Sequence, residues 1–343
     1  MRSKKGAIIL MVVSAILVLS ISVSLVFFSA ASDEIKASRY LADRTKARYL
    51  AQSGMEAAVM LLTRVPIKYL YEFGILFSPP PLPFEEGLVQ FSLSEETGKI
   101  NLNRLIHTFD DDPDLRTREM LDKLSESLGI SSEIWDGVVD WIDENSSRMP
   151  NGFERLDYES LTPPRKIKNA RLDSLEELLL IPGFDYNLLY SDLRTKRQKE
   201  EMSEEFLTEE EKLAVTDEDF ILANNITVLL PTTLDYGDKI NINSAPYHVI
   251  LALNQSMTPD IARKIIVERI KNGGRFERVE DLKPILAGIT GLTGAPLYDE
   301  LLPRITVEDI LFKIESHAAI RNVEVRIAAV FDRRARKLTM YTE

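Results

Sequence analysis

Residues 7–28 read AIILMVVSAILVLSISVSLVFF, an uncharged apolar run directly behind the short basic leader MRSKKG. No other stretch constrains the fold so strongly. At about 1.5 Å rise per residue, a helix of this run spans roughly 33 Å, enough for the hydrocarbon core of a bilayer. Its Val, Ile, Leu and Phe side chains each favour insertion by about 0.3–0.6 kcal/mol near the membrane centre, less some loss at the serines. Arg2, Lys4 and Lys5 stand in front, so the positive-inside bias leaves the leader cytoplasmic and sends the rest of the chain outward. An ordinary secretory signal has a shorter apolar core followed by a small-x-small cleavage site. Here the run is longer, and the small residue, Gly6, precedes it.

A chain of 343 residues leaves room for this anchor and one or two domains outside it. The formal charge is −12, which argues against binding nucleic acid or anionic lipid through bulk charge. There is no cysteine, so disulfides, thiolate metal sites and a Cys nucleophile are excluded. The histidines are His107, His248 and His317. No HExxH, GxSxG or P-loop pattern occurs. Gly98-Lys99 imitates part of a P-loop, but Ile100 stands where a hydroxyl must reach Mg²⁺. The chain therefore reads as a protein without catalysis.

Residues 33–63 lack proline and are rich in Ala, Leu, Met, Arg and Glu, good helix formers. Ala47, Leu50, Ala51, Gly54, Ala57, Ala58 and Leu61 recur at three-and-four spacing, which gives one small apolar face. That face is expected to pack against helices of partner subunits. One rod from Ala7 to about Thr63 follows, ended by Pro66. Strand alternation appears at Val89, Phe91 and Leu93, and returns only at Phe312–Ala318, Val323–Phe331 and Lys337–Tyr341. An α+β fold is expected: a long N-terminal transmembrane helix, a small antiparallel sheet, and a large, mostly α-helical domain inserted between strands.

The expected segments are a leader at 1–6, the anchor and long helix at 7–65, an αβ frame at 66–99 and 311–343, and an inserted helical domain at 100–310. The insert repeats itself imperfectly. Lys99-Ile100-Asn101-Leu102-Asn103 recurs as Lys239-Ile240-Asn241-Ile242-Asn243. Each copy precedes short helices and an acidic helix start, LDSLEELL (172–179) or FERVEDL (276–282). Ser174 and Glu177 have capping-box spacing. Half-repeats at 99–190 and 239–310 are joined by an acidic linker, 191–220, read as solvated. Asn101, Asn103, Asn241 and Asn243 are expected as turn and cap residues.

The pieces AQSGMEAA (51–58), KINLN (99–103), VDWIDENSSRMPNGFERLDYESLTPPRKIKNARLDSLEELLLIPGF (139–184), KININ with SAP (239–246) and the closing strands resemble the K-type minor pseudopilins of bacterial type II secretion. Lys4-Lys5-Gly6 before the apolar run resembles a prepilin leader. The resemblance implies an inner-membrane, single-pass protein with a pilin-like frame and a periplasmic head. It implies cleavage by prepilin peptidase between Gly6 and Ala7, with N-methylation of the new terminus. It also implies a place at the tip of the pseudopilus with I- and J-type minor pseudopilins and other pseudopilins of the system, promoting assembly for export across the outer membrane.

Two further sites follow from the resemblance. Met11 stands at the fifth position after the cut, where most pilins carry Glu. A chain with Met11 offers no carboxylate to the amine of a subunit above it, which suits a filament end. Asp140, Asp143, Glu144, Asn145, Glu154 and Asp157 crowd one loop, and dense hard oxygens suit Ca²⁺; the resemblance puts Asp143, Asn145 and Glu154 on ligand-type positions, with Arg155 where the family usually has an acid. A solvated acidic loop is the plainer reading of the same residues. The stretch ARKIIVERIKNGGRFERVEDL (262–282) is also similar to helix-hairpin-helix DNA binders. This leaves a membrane-tethered DNA-binding protein of a competence or type IV pilus system as the alternative. Its hairpin, Asn254-Gln255-Ser256-Met257-Thr258, lacks glycine, and no nucleic-acid partner is expected.

Overall fold

The computed structural model describes residues 2–74, 77–84, 87–107, 111–194, 214–231 and 239–342. Helix α1 runs unbroken from Arg2 to Arg64, about 95 Å at the standard rise. It is long and apolar enough to cross a membrane, and its apolar side chains from Leu10 to Phe28 stay exposed, Phe28 at 76%. Pro66 stands at the head of a short second helix, α2 (Ile67–Glu72), since proline fits a helix start but not its interior.

The outer half of α1 is amphipathic in a different way from the expectation. Asp43, Ala47, Ala51, Gly54, Met55, Ala58 and Leu62 are buried, and they form the stripe that packs on the protein's own sheet. The small face is therefore filled internally and is not free for partner helices. Ala57, expected on that face, is exposed. Small residues there let the helix axis approach β-strands that carry Phe91, Phe312 and Phe331. Asp43 closes the stripe by accepting two hydrogen bonds of 3.1 Å from Arg321.

That sheet contains β1 (Leu82–Phe84), β2 (Gly87–Glu95), β7 (Leu311–Ile320), β8 (Val323–Asp332) and β9 (Lys337–Thr342) in spatial order β1-β2-β7-β8-β9. Every neighbouring pair is antiparallel, and Leu93 lies opposite Ile314, which lies opposite Ala329. Alternate residues face α1: Phe312, Ile314, Ser316 and Ala318 on β7, and Val325, Ile327, Ala329 and Phe331 on β8. The α+β architecture expected from the period-2 and period-3.6 patterns is the one adopted.

Between β2 and β7 lie the helices. The first group is α3 (Leu115–Leu128), α4 (Ile134–Ile142), α5 (Arg155–Ser160) and α6 (Tyr186–Tyr190). The second is α7 (Leu222–Asn225), α8 (Tyr247–Ala252), α9 (Pro259–Lys271) and α10 (Leu297–Leu301). One continuous core joins them, centred on Trp135, Leu121, Leu124, Tyr158, Ile250 and Phe276. Most of the acidic linker, residues 195–213, lies outside the described residues.

The repeat is structural. Strand β3 (Ile100–Asn101) pairs parallel with β4 (Ile226–Thr227), and β5 (Ile240–Asn241) pairs parallel with β6 (Ile305–Thr306). Each unit thus opens on KINxN and closes on Ile-Thr-Val, at 226–228 and 305–307. In both, the first Asn accepts from the N–H of the second at 3.0 Å, as expected of a turn residue. The second Asn does more. Asn103 accepts from Leu172 N–H and donates to Leu172 O and Val228 O. Asn243 accepts from Phe276 N–H and donates to Phe276 O and Val307 O. One side-chain amide clamps the unit's first strand, its middle and its last strand.

The capping box at Ser174 does not form. Residues Leu175–Leu180 make a 3-10 helix with no side-chain cap from Ser174. Glu177 instead accepts from Asp173 N–H at 2.8 Å, just as Asp281 accepts from Glu277 N–H at 3.0 Å in the second unit.

Candidate functional site

The acidic loop of the first unit grows from the end of α4. Asp136, Asp140 and Asp143 follow at helical spacing, and all three are buried. Asp136 is neutralised by Arg118 at 2.6 Å and capped by Asn151. Asp140 accepts from Met149 N–H at 3.0 Å. Gly152 is required beside it: a Cβ there would lie 1.8 Å from Asp140 Oδ2. Glu154 caps α5 through Arg155 N–H, with Asp157 completing the capping box. The Trp141 and Tyr158 rings close the base, 5.3 Å between centroids.

The electrostatics of this loop are unbalanced. Burial, then Asp140, Asp111 and Glu154, push the Asp143 carboxyl up to about 7. Burial, opposed by the Met149 amide and reinforced by Glu154, raises Asp140 to about 6. Among the described residues of this loop system, four buried oxygens have no hydrogen-bond partner: Asp143 Oδ1, Glu154 Oε1, Asn169 Oδ1 and the Tyr158 hydroxyl. Buried oxygens are almost always satisfied. Two unmatched carboxylate oxygens and an amide oxygen on one small loop system are a donor set that fits a hard cation. Among the described residues no group of three or more His, Cys, Asp or Glu is disposed to hold a metal by itself. A cation here would have to draw on amide or backbone oxygens and water as well.

The expected ligand positions are arranged unequally. Asp143 and Glu154 each turn a buried oxygen inward. Asn145 presents its amide nitrogen to Asp111 and Asp143, at 3.1 and 3.0 Å, and its oxygen accepts from Ser147 N–H. Asn169 and Asp111 were not legible as members of the group. They come from other loops, and both have positive φ, 46° and 57°, a backbone state that Asn and Asp tolerate. Arg155 points away and pairs with Glu159.

The second unit's hairpin is closed to phosphate. Lys123 of α3 donates to the carbonyls of Asn254, Gln255 and Met257 at 2.7, 3.0 and 2.9 Å. The loop therefore presents carbonyl oxygens to an internal ammonium. His248 is 2% exposed and bonds Ser127 at 3.0 Å across the two units; burial lowers its pKa to about 4. Gly6 and Met11 both lie on exposed turns of α1, Met11 at 74%.

Comparison with known proteins agrees with this layout. Residues 98–194 match the family model described as Type II secretion system (T2SS), protein K. No curated protein matches the chain. The fold is similar to a chain in the crystal structure of the GspK-GspI-GspJ complex from the enterotoxigenic Escherichia coli type 2 secretion system. The TM-score is 0.58 at 18% identity, over 91% of this chain and 99% of that one.

Proposed function

We propose that this chain, whose residues 98–194 match the type II secretion system protein K model, is a minor pseudopilin of that family with a structural role at the tip of the pseudopilus. The observation that carries this is the placement of the family's segment, 98–194, inside an insert that interrupts an α1-plus-sheet frame. Such an insert cannot be repeated along a closely packed shaft without collision. A single-pass anchor in the inner membrane, a periplasmic head, and neighbours of the I and J types complete the reading. Prepilin peptidase cuts between Gly6 and Ala7, and Met11 then offers no carboxylate to a subunit above.

The chain, extracted with its partners, is expected to sediment as an equimolar complex with the I- and J-type subunits and to form no filament alone. Failure to form that complex, together with labelling along the whole filament, contradicts the reading. Met11→Glu is expected to disturb assembly or lengthen pseudopili.

Calcium is the proposed ligand of the acidic loop, held by Asp143 and Glu154 with Asp140 and Asn169 beside them. When bound it supplies charge neutralisation and tethers α4, α5 and the 169 loop. The support is the set of unmatched buried oxygens. The chain's role is assembly, and no residue is assigned to catalysis.

A further inference from the structure

The turn that leads from the sheet into the insert reads Glu95-Glu96-Thr97-Gly98-Lys99. Its two acids grip different units. Glu96 accepts from Thr227 of the first unit and Lys99, both at 2.8 Å, and from Ser94. Glu95 accepts from the Ser244 hydroxyl of the second unit and from the Thr97 hydroxyl. It also accepts from Gly98 N–H at 3.1 Å and Ile310 N–H at 3.3 Å, at the mouth of β7. Gly98 is packed so closely that a Cβ would lie 2.6 Å from Ala245 N.

A second buried carboxyl sits beside Glu95. Asp309 accepts from the Tyr71 hydroxyl of α2 and from Asn241 of β5 at 2.9 Å, and Arg275 stands 3.6 Å away. Other charged groups around the pair are Arg269 of α9, which acts on Tyr71, Asp219, which lines the same cleft as Glu95 and acts on Arg269, and Arg333 after β8, which acts on Asp309. Arg269 donates to Ile242 O and Ala245 O. Glu96 and Lys99 flank Glu95 but pair with each other. A cleft of about 420 Å³, lined by Tyr71, Glu95, Ser244, Tyr247 and Arg269, borders the cluster and gives a proton a route in.

We propose that this junction is a proton-operated latch: protonated, Glu95 sits quietly beside Asp309 and ties the second helical unit to the sheet; deprotonated, it places two negative charges in a dry junction and loosens that tie. Both states have partners. As a carboxylate, Glu95 takes four donors. As an acid, it gives its proton to Ser244, whose hydroxyl turns to Asn241 O, 3.5 Å away. Burial first, and Asp309 second, push Glu95 up to about 7. The closed junction therefore holds a proton that the opened one releases near the ordinary Glu value, and closure weakens as pH rises through that interval. Between pH 6 and 8 the opening equilibrium is expected to rise about tenfold. The proposal does not depend on the family assignment.

The test is hydrogen–deuterium exchange of the full chain in detergent at pH 6 and pH 8, each rate divided by that of the unstructured peptide. Segments 95–99, 241–246 and 308–310 are expected to lose about tenfold in protection, with β7–β8 unchanged. Glu95→Gln, which mimics the protonated acid, is expected to remove the pH dependence and to match the wild type at pH 6. Equal pH dependence in wild type and Glu95→Gln overturns the latch. Should Glu95→Gln not fold, Asp309→Asn decides: removing the second charge is expected to shrink the response between pH 6 and 8, and an unchanged response overturns the proposal.

Discussion

The two helical units share a clamp and differ in what hangs from it. In both, KINxN opens the unit, Ile-Thr-Val closes it, and one buried Asn holds three backbone groups. The first unit then leaves Asp143 Oδ1, Glu154 Oε1 and Asn169 Oδ1 buried without a donor. The second places its acid, Glu300, where every demand is met: Asn254, Leu292 N–H, Thr293 N–H and the Thr293 hydroxyl all donate to it, and these bonds, led by Thr293, lower it to about 2. The same scaffold can carry carboxylates as a closed structural staple or as an open donor set. The difference lies in whether backbone donors surround the acid.

The clamps give the largest expected effect. Asn103→Ala leaves one buried N–H and two buried carbonyls unpaired, and each such group costs about 1–3 kcal/mol. The variant is expected to lose roughly 3–5 kcal/mol in denaturant unfolding of the extracted chain. Asn243→Ala is expected to lose a similar amount. A large loss in one and none in the other breaks the equivalence of the units.

Lys123→Met probes how the units lean on each other. It removes three hydrogen bonds to the 254–257 hairpin and strands carbonyls that solvent reaches in part, so a loss of about 2 kcal/mol is expected. Amide exchange should rise in 254–258 and stay unchanged in α4. Equal loosening of 254–258 and α4 shows that Lys123 is not a local brace.

His248 gives the smallest effect. Burial holds its folded value near 4, below the unfolded value near 6.5. The folded state binds fewer protons between these limits, so stability contributed by the neutral ring is present above 6.5 and is lost as pH falls toward 4. His248→Asn is expected to flatten the acid limb of the melting-temperature profile over that interval; an unchanged limb removes this assignment.

Much of the fold was legible. The apolar run, the alternation at 89–93 and 312–331, and Pro66 each act through local geometry that a single strand or helix already expresses. What was not legible required distance. The small face of α1 has the same spacing whether it meets a partner helix or its own sheet, and only the β7–β8 hairpin some 260 residues later decides. KINxN was visible as a repeat, yet its closing Ile-Thr-Val was not, because a two-residue parallel strand leaves almost no periodic signal. Ser174–Glu177 had the right spacing for a capping box, but Asp173 N–H and Lys168 compete for the Glu177 carboxylate and win. At the acidic loop, Asp143 and Glu154 were readable from composition. Asn169 and Asp111 were not, since left-handed residues on separate loops bring them in.

The contrast between the units is tested most directly by calcium. Without a cation, the folded state keeps protons on Asp140 and Asp143 up to about 6 and about 7, while the unfolded chain gives them up near 4. Stability from this loop therefore falls as pH rises from about 4 to 7, and under the calcium proposal a divalent cation is expected to take the place of the lost protons. The melting temperature of the full chain at pH 8 is expected to rise with millimolar Ca²⁺ against EDTA, by the equivalent of about 2.7 kcal/mol at one hundred times Kd. The rise should shrink toward pH 5, vanish in Asp143→Asn with Glu154→Gln, and persist in Glu300→Gln. No rise at pH 8, or a rise that survives the Asp143 and Glu154 substitutions, contradicts the account.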